Sequence, residues 1–194
     1  MAILQTSRYF THWNYFLALE KDLENLSRFI EFSEDNWASY SLEMARIILA
    51  AAADVDVLLK SLCKREAPSA NAGSINSYMN VINDKLPNIP TFEARLPRWG
   101  LNLIPWENWS RNEVPDWWTA YNKVKHHRGE HYPKANLHNT INAVAALYII
   151  NLYFYKEQAE NGELLPSCSL FRPSDEHCRG TSLINFELGI DYEL

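Results

Sequence analysis

An amide, two imidazoles and three fixed cations fall within the eight residues Tyr121-Asn122-Lys123-Val124-Lys125-His126-His127-Arg128, in a chain whose net charge is −6. An imidazole titrates near neutral pH and can give or take a proton. A neighbouring lysine or arginine can stabilise charge that develops on a phosphate. The set therefore suits phosphodiester chemistry, and with RNA the 2′-hydroxyl can itself be the nucleophile, so no metal or other cofactor is required. In that chemistry His126 is the acid or base, Arg128 the counter-charge and Asn122 the group that orients imidazole or phosphate. Lys125, Lys123, His127 and Tyr121 complete the substrate-binding set. Asp54, at the edge of a neighbouring helix, is a carboxylate that could orient a cation or His126. The competing reading is a packed helix whose terminal cations meet its dipole.

The elements that must hold these residues read as helices. At about 100° per residue, Trp117, Tyr121, Val124 and Arg128 share one line, expected to be buried. Trp118, Asn122, Lys125 and His126 share another, expected to be presented, with Asn122 and His126 four apart and able to touch. This helix is expected over Pro115–Arg128, with Pro115 in its first turn and capping-box spacing between Ser110 and Glu113 ahead of it. Apolar residues at three- and four-residue steps predict helices over His12–Phe32 and Ser41–Lys64, with Ser41 as N-cap. A short helix is expected over Ser74–Lys85. A last long one covers Ala135–Glu160, and its early turns carry polar Asn136, His138, Asn139 and Asn142. Together these imply an all-α fold: one domain over 1–194, a helical bundle of four long helices. An irregular insertion interrupts it at about 66–114, with a hairpin expected in Phe92–Ile104 that turns at Pro97–Gly100. A tail over about 163–194 carries a short extended run, Ser182–Leu188.

Composition narrows the function classes. The charge of −6 excludes a general polyanion coat, but Lys123, Lys125, Arg128 and Lys134 stand against Glu130 alone, a local +3 before any histidine is counted. No Gly-rich phosphate loop, GxSxG, HExxH or CxxC is present, which argues against a nucleotide-driven motor, a serine hydrolase and a zinc protease. His127 and His131 have zinc spacing, but Gly129 interrupts the helix and no third ligand is near, so no metal is expected. Cys63 reads as a reduced core residue; Cys168 and Cys178 are able to pair. There is no run of 18 apolar residues for a membrane span. The N-terminal segment has Arg8 and no long apolar run, so no signal peptide is expected and a cytoplasmic location is the simple reading. Trp106, Trp109 and Trp118 suit either an apolar interface or a core.

The motif resembles the signature of the HEPN superfamily, an arginine, a polar residue often asparagine, three further residues and a histidine. Here Asn122 and His126 match, and Tyr121 stands at the arginine position. The chain also resembles bacterial proteins with a Trp-Trp-x-x-Tyr-Asn-x-x-Lys-His-x-Arg pattern, here Trp117 through Arg128. The resemblance implies a helical bundle, homodimers whose motif helices meet, and metal-independent endoribonucleases of phage-defence and toxin–antitoxin systems, often with a partner protein. It implies His126 as catalytic and Asn122 as its polar partner. With Tyr121 in place of arginine, the alternative is a non-catalytic nucleotide- or RNA-binding or protein-interaction module.

Overall fold

The computed structural model describes residues 9–184 and 187–194, and side chains outside 182–184. Among the described residues it has six α-helices and two small antiparallel sheets. The protein is mostly helical, and the sheets correct the all-α expectation.

Helix α1 (Thr11–Leu26) buries Trp13, Phe16, Leu19, Leu23 and Leu26 along one face. It ends well before Phe32. The Ser27 hydroxyl donates to the Glu24 carbonyl at 2.8 Å, the next amides close tight turns onto Asn25 and Leu26, and Phe32 turns away to pack on Trp99, ring centroids 4.7 Å apart. Helix α2 (Leu42–Glu66) starts where expected, its Ser41 hydroxyl accepting the Met44 amide at 3.1 Å. Its buried Ala45, Ala51 and Ala52 are small enough for close helix approach. The helix it packs against most is α5 (Leu137–Phe154). Arg65, in the last turn of α2, donates to the carbonyls of Tyr153 and Phe154 at 3.0 and 2.9 Å and so satisfies the end of α5.

The insertion holds α3 (Ile75–Lys85), whose Ser74 and Ser77 form a capping box. It also holds the expected hairpin, β1 (Ala94–Leu96) against β2 (Leu101–Leu103), with Leu96 opposite Leu101. Gly100 supplies the left-handed φ of +63° at the turn. The tail adds β3 (Arg172–Pro173) to the other edge of β1. Ser110 lies in a 3-10 turn, Glu107–Arg111, and Glu113 pairs with Arg111, so the two do not cap the next helix. That helix, α4 (Asp116–His131), has Pro115 itself as N-cap.

Helix α5 is buried on every side from Asn139 to Tyr153 because α1, α2 and α4 all pack on it. Tyr155 leaves the helical conformation (φ −104°, ψ 40°), so the expected long helix becomes α5 and a short α6 (Lys156–Glu160). The tail is fixed by buried Glu20 on α1, whose carboxylate accepts the amides of Ser169, Leu170 and Phe171 and the Ser169 hydroxyl. It ends in a hairpin, β4 (Cys178–Ile184) and β5 (Glu187–Tyr192), rather than one extended run; residues 185 and 186 of that run lie outside the described residues. All three cysteines are free thiols, so Cys168 and Cys178 do not pair. No helix among the described residues is long and apolar enough to cross a membrane.

Candidate nucleic-acid interface

Helix α4 is anchored by tryptophans. Trp106 lies 4.2 Å from Trp109 and 5.1 Å from Trp117, centroid to centroid, and Trp117 meets Trp118 edge-on at 5.6 Å. The Trp117 indole donates to the Pro105 carbonyl at 2.8 Å. All four rings are buried in the chain. Trp106, Trp109 and Trp118 therefore cannot form an exposed apolar patch for a second copy, and Trp118 does not belong on a presented face.

One turn later Tyr121 and Val124 are buried as well. The Tyr121 hydroxyl accepts from Lys125 Nζ at 3.1 Å, and that bond holds the Lys125 ammonium above its ordinary pKa. Asn122 donates back to the Trp118 carbonyl at 3.2 Å instead of reaching His126. The expected Asn122–His126 contact is absent because the amide is engaged by its own helix. His126 is exposed and has no hydrogen-bond partner among the described residues.

At His127 the backbone departs from the helix (φ −139°, ψ 47°) and α4 kinks. The kink carries Arg128 off the buried line and into solvent. It also sets the His127 and His131 rings perpendicular, 6.4 Å apart. No group of three or more His, Cys, Asp or Glu among the described residues is placed to hold a metal ion.

Asp54 does not serve this site. Its Oδ1 lies 2.8 Å from His12 Nδ1 on α1, and its Oδ2 is buried without a partner. Desolvation raises the Asp54 pKa, and the His12 hydrogen bond offsets part of that rise. The pair ties α1 to α2. Asp56 makes no ion pair with Lys60 among the described residues; it faces Tyr78 of α3 and acts electrostatically on Lys125.

What remains is an exposed basic end. Lys123, Lys125 and Arg128 project from α4, and Lys134 from the following 3-10 turn. None of the four is in an ion pair among the described residues. The set can hold phosphates by short-range contact on more than one side of α4, since Lys123 and Lys125 lie about 160° apart around the helix. It lacks the base–orienter hydrogen bond expected of a complete acid–base site.

The opposite end of α4 borders a cleft of about 240 Å³, between the segment Asn102–Asn108 and the first turns of α5. Glu107, Asp116, Trp117, His138, Asn139 and Asn142 are among its walls. The sequence signal for it was the polar set at the start of an otherwise apolar helix. His138 keeps contact with solvent and meets Trp37 edge-on; desolvation lowers its pKa, opposed by Asp116 and Glu107. Glu20 and His12 were not legible as partners, because the groups they hold are far away in the chain.

Comparison with protein-family models, with curated proteins and with solved structures finds no match to this chain.

Proposed function

We propose that this is a HEPN-like helical domain that binds single-stranded RNA or nucleotide phosphate through the basic end of α4, without cleaving it as a single chain. The observation that carries the reading is the exposed set Lys123, Lys125, Arg128 and Lys134, none of them in an ion pair among the described residues, on an acidic protein. His126 and His127 stand among these cations and add charge when protonated. Tyr121, at the arginine position of the resembled signature, is buried and bonded to Lys125, and Asn122 is turned onto its own helix. Both features speak for binding over catalysis.

The test is anisotropy of a labelled single-stranded RNA over a salt series. Binding should weaken steeply, with a log–log slope of about −0.7 per phosphate contacted. Affinity independent of salt would contradict the reading.

The ribonuclease reading keeps one specific support: His126 is solvent-accessible with Lys125 and Arg128 nearby in sequence. It requires a second copy to complete the site, as the resembled homodimers do. Incubation with RNA and EDTA, wild type beside His126→Ala, decides it. Cleavage lost in the variant would replace the binding reading with a metal-independent ribonuclease.

A further inference from the structure

The basic end of α4 runs into a pair of partly exposed aromatic rings. Tyr132 follows the last turn of α4 and opens the 3-10 turn Tyr132–Lys134. Tyr40 lies just before Ser41, the N-cap of α2. Their rings meet edge-on, centroids 5.3 Å apart and planes at 77°. Tyr132 packs partly against the core, whereas Tyr40 keeps 49% of its surface in solvent. Neither hydroxyl has a hydrogen-bond partner among the described residues.

The backbone fixes Tyr40 in this place. The Ser39 carbonyl accepts the Leu137 amide at 2.8 Å, the Trp37 carbonyl accepts the His138 amide at 3.3 Å, and Tyr40 forms an antiparallel bridge with Asn136. The segment is thus stitched to the start of α5, and Ser41 caps α2 immediately after it. A ring displayed on a fixed backbone loses little conformational freedom when a ligand packs on it. An edge-on contact also leaves at least one face of each ring uncovered by the other.

Cations flank the pair. Arg128 stands four residues before Tyr132 and Lys134 two after it; both are exposed and in no ion pair among the described residues. Two residues of chain span at most about 7 Å, so Lys134 is a close neighbour of the Tyr132 ring. Glu43, in the first turn of α2, is bonded to Arg46 at 3.0 and 3.1 Å and does not stand as a free charge against a phosphate. Exposed rings beside cations suit an unpaired strand, whose bases stack on the rings while its phosphates meet the charges. A duplex keeps its base faces stacked inside, and a bare phosphate has none.

We propose that Tyr40 and Tyr132 form a stacking platform for an unpaired base, so that the ligand of the basic end is a single strand held through its base faces as well as its phosphates. The proposal rests on the phosphate-binding reading of α4 and adds to it the requirement for a base.

The experiment is anisotropy of two labelled strands of equal length and charge, oligouridylate and an abasic ribose-phosphate strand, with the full chain at one low salt concentration. Wild type should bind oligouridylate about tenfold more tightly, within the range for one stacked base. Tyr40→Ala should bring the two affinities close to equality, and Tyr40→Phe, which keeps the ring, should preserve the preference. Urea midpoints of both variants check folding. With no substitution at all, oligouridylate carrying 5-iodouridine should cross-link to Tyr40 or Tyr132 under ultraviolet light. Equal and steeply salt-dependent binding of both strands by wild type would overturn the platform and leave the basic-end reading standing. No binding of either strand would remove both. A preference for oligouridylate that survives Tyr40→Ala overturns the platform too, as do cross-links confined to other residues.

Discussion

At its Asp116 end α4 is locked into the protein: Trp117 and Trp118 are buried, an indole N–H is bonded to a backbone carbonyl, and carboxylates face a polar cleft. About 15 Å further along the same helix, Lys125, His126 and Arg128 stand in solvent, Lys125 donating to the Tyr121 hydroxyl and Arg128 lying past the kink at His127. One helix thus carries a buried end and an exposed, cationic end. The difference teaches that a motif's residue types do not reveal which of them are free to act. Tyr121 and Asn122 belong energetically to the buried end, although they lie inside the motif.

The sharpest way to break this division is to truncate each end in turn. Trp117→Ala should cost about 3–5 kcal/mol of stability, through lost burial and an orphaned Pro105 carbonyl. Arg128→Ala should stay within about 0.5 kcal/mol. Urea unfolding of both variants checks this, and equal losses would erase the distinction.

A second contrast lies in proton binding. Desolvation lowers the pKa of His138 at the cleft. A histidine with a lowered folded pKa contributes stability that is present above its unfolded value, about 6.5, and lost as pH falls through the folded value. His138 should therefore titrate below 6.5 by NMR. Because Asp116 and Glu107 oppose the shift, Glu107→Gln should move it lower still. Titration at or above 6.5 would contradict the described environment.

Asp54 offers a smaller test. It pairs with His12, remote from either end of α4. Its folded pKa is raised, so ionisation works against the fold: the stabilising contribution is full below the unfolded carboxyl value and is lost as pH rises through the folded one. Asp54→Asn keeps an acceptor for His12 and should change stability at neutral pH by no more than about 1 kcal/mol, with RNA binding unaltered. Loss of binding would restore Asp54 to the site. The smallest expected effect is that of Tyr121→Phe, which removes only the hydroxyl that accepts from the exposed Lys125. Urea unfolding should detect about 0.5 kcal/mol or less.

Much of the frame was legible in the sequence because it is local. The Ser41 cap, the apolar step pattern of α2 and the Pro97–Gly100 turn each act within a few residues, and each appears in the structure. What was not legible depends on contacts across the chain. Phe32 leaves the α1 stripe for Trp99, β3 adds to β1 from the tail, and Glu20 gathers amides about 150 positions away. None of these leaves a periodic signal. At the candidate site, helical spacing correctly grouped Tyr121 with Val124 but placed Trp118 in solvent. The insertion supplies Trp106 and Trp109 to the same cluster and closes a second side of α4. Asn122 and His126 have the right spacing to touch, yet a local bond to the Trp118 carbonyl competes for the amide and holds it.

The most direct test of the account is single-stranded RNA binding by the variant Lys123→Glu, Lys125→Glu, Arg128→Glu beside wild type, at one fixed low salt concentration, with urea midpoints measured on both. The account requires affinity to fall at least about tenfold while the unfolding midpoint stays in place, since the three charges are exposed and in no ion pair among the described residues. Unchanged affinity, with the fold intact, would contradict the claim that the basic end of α4 is where this protein meets its ligand.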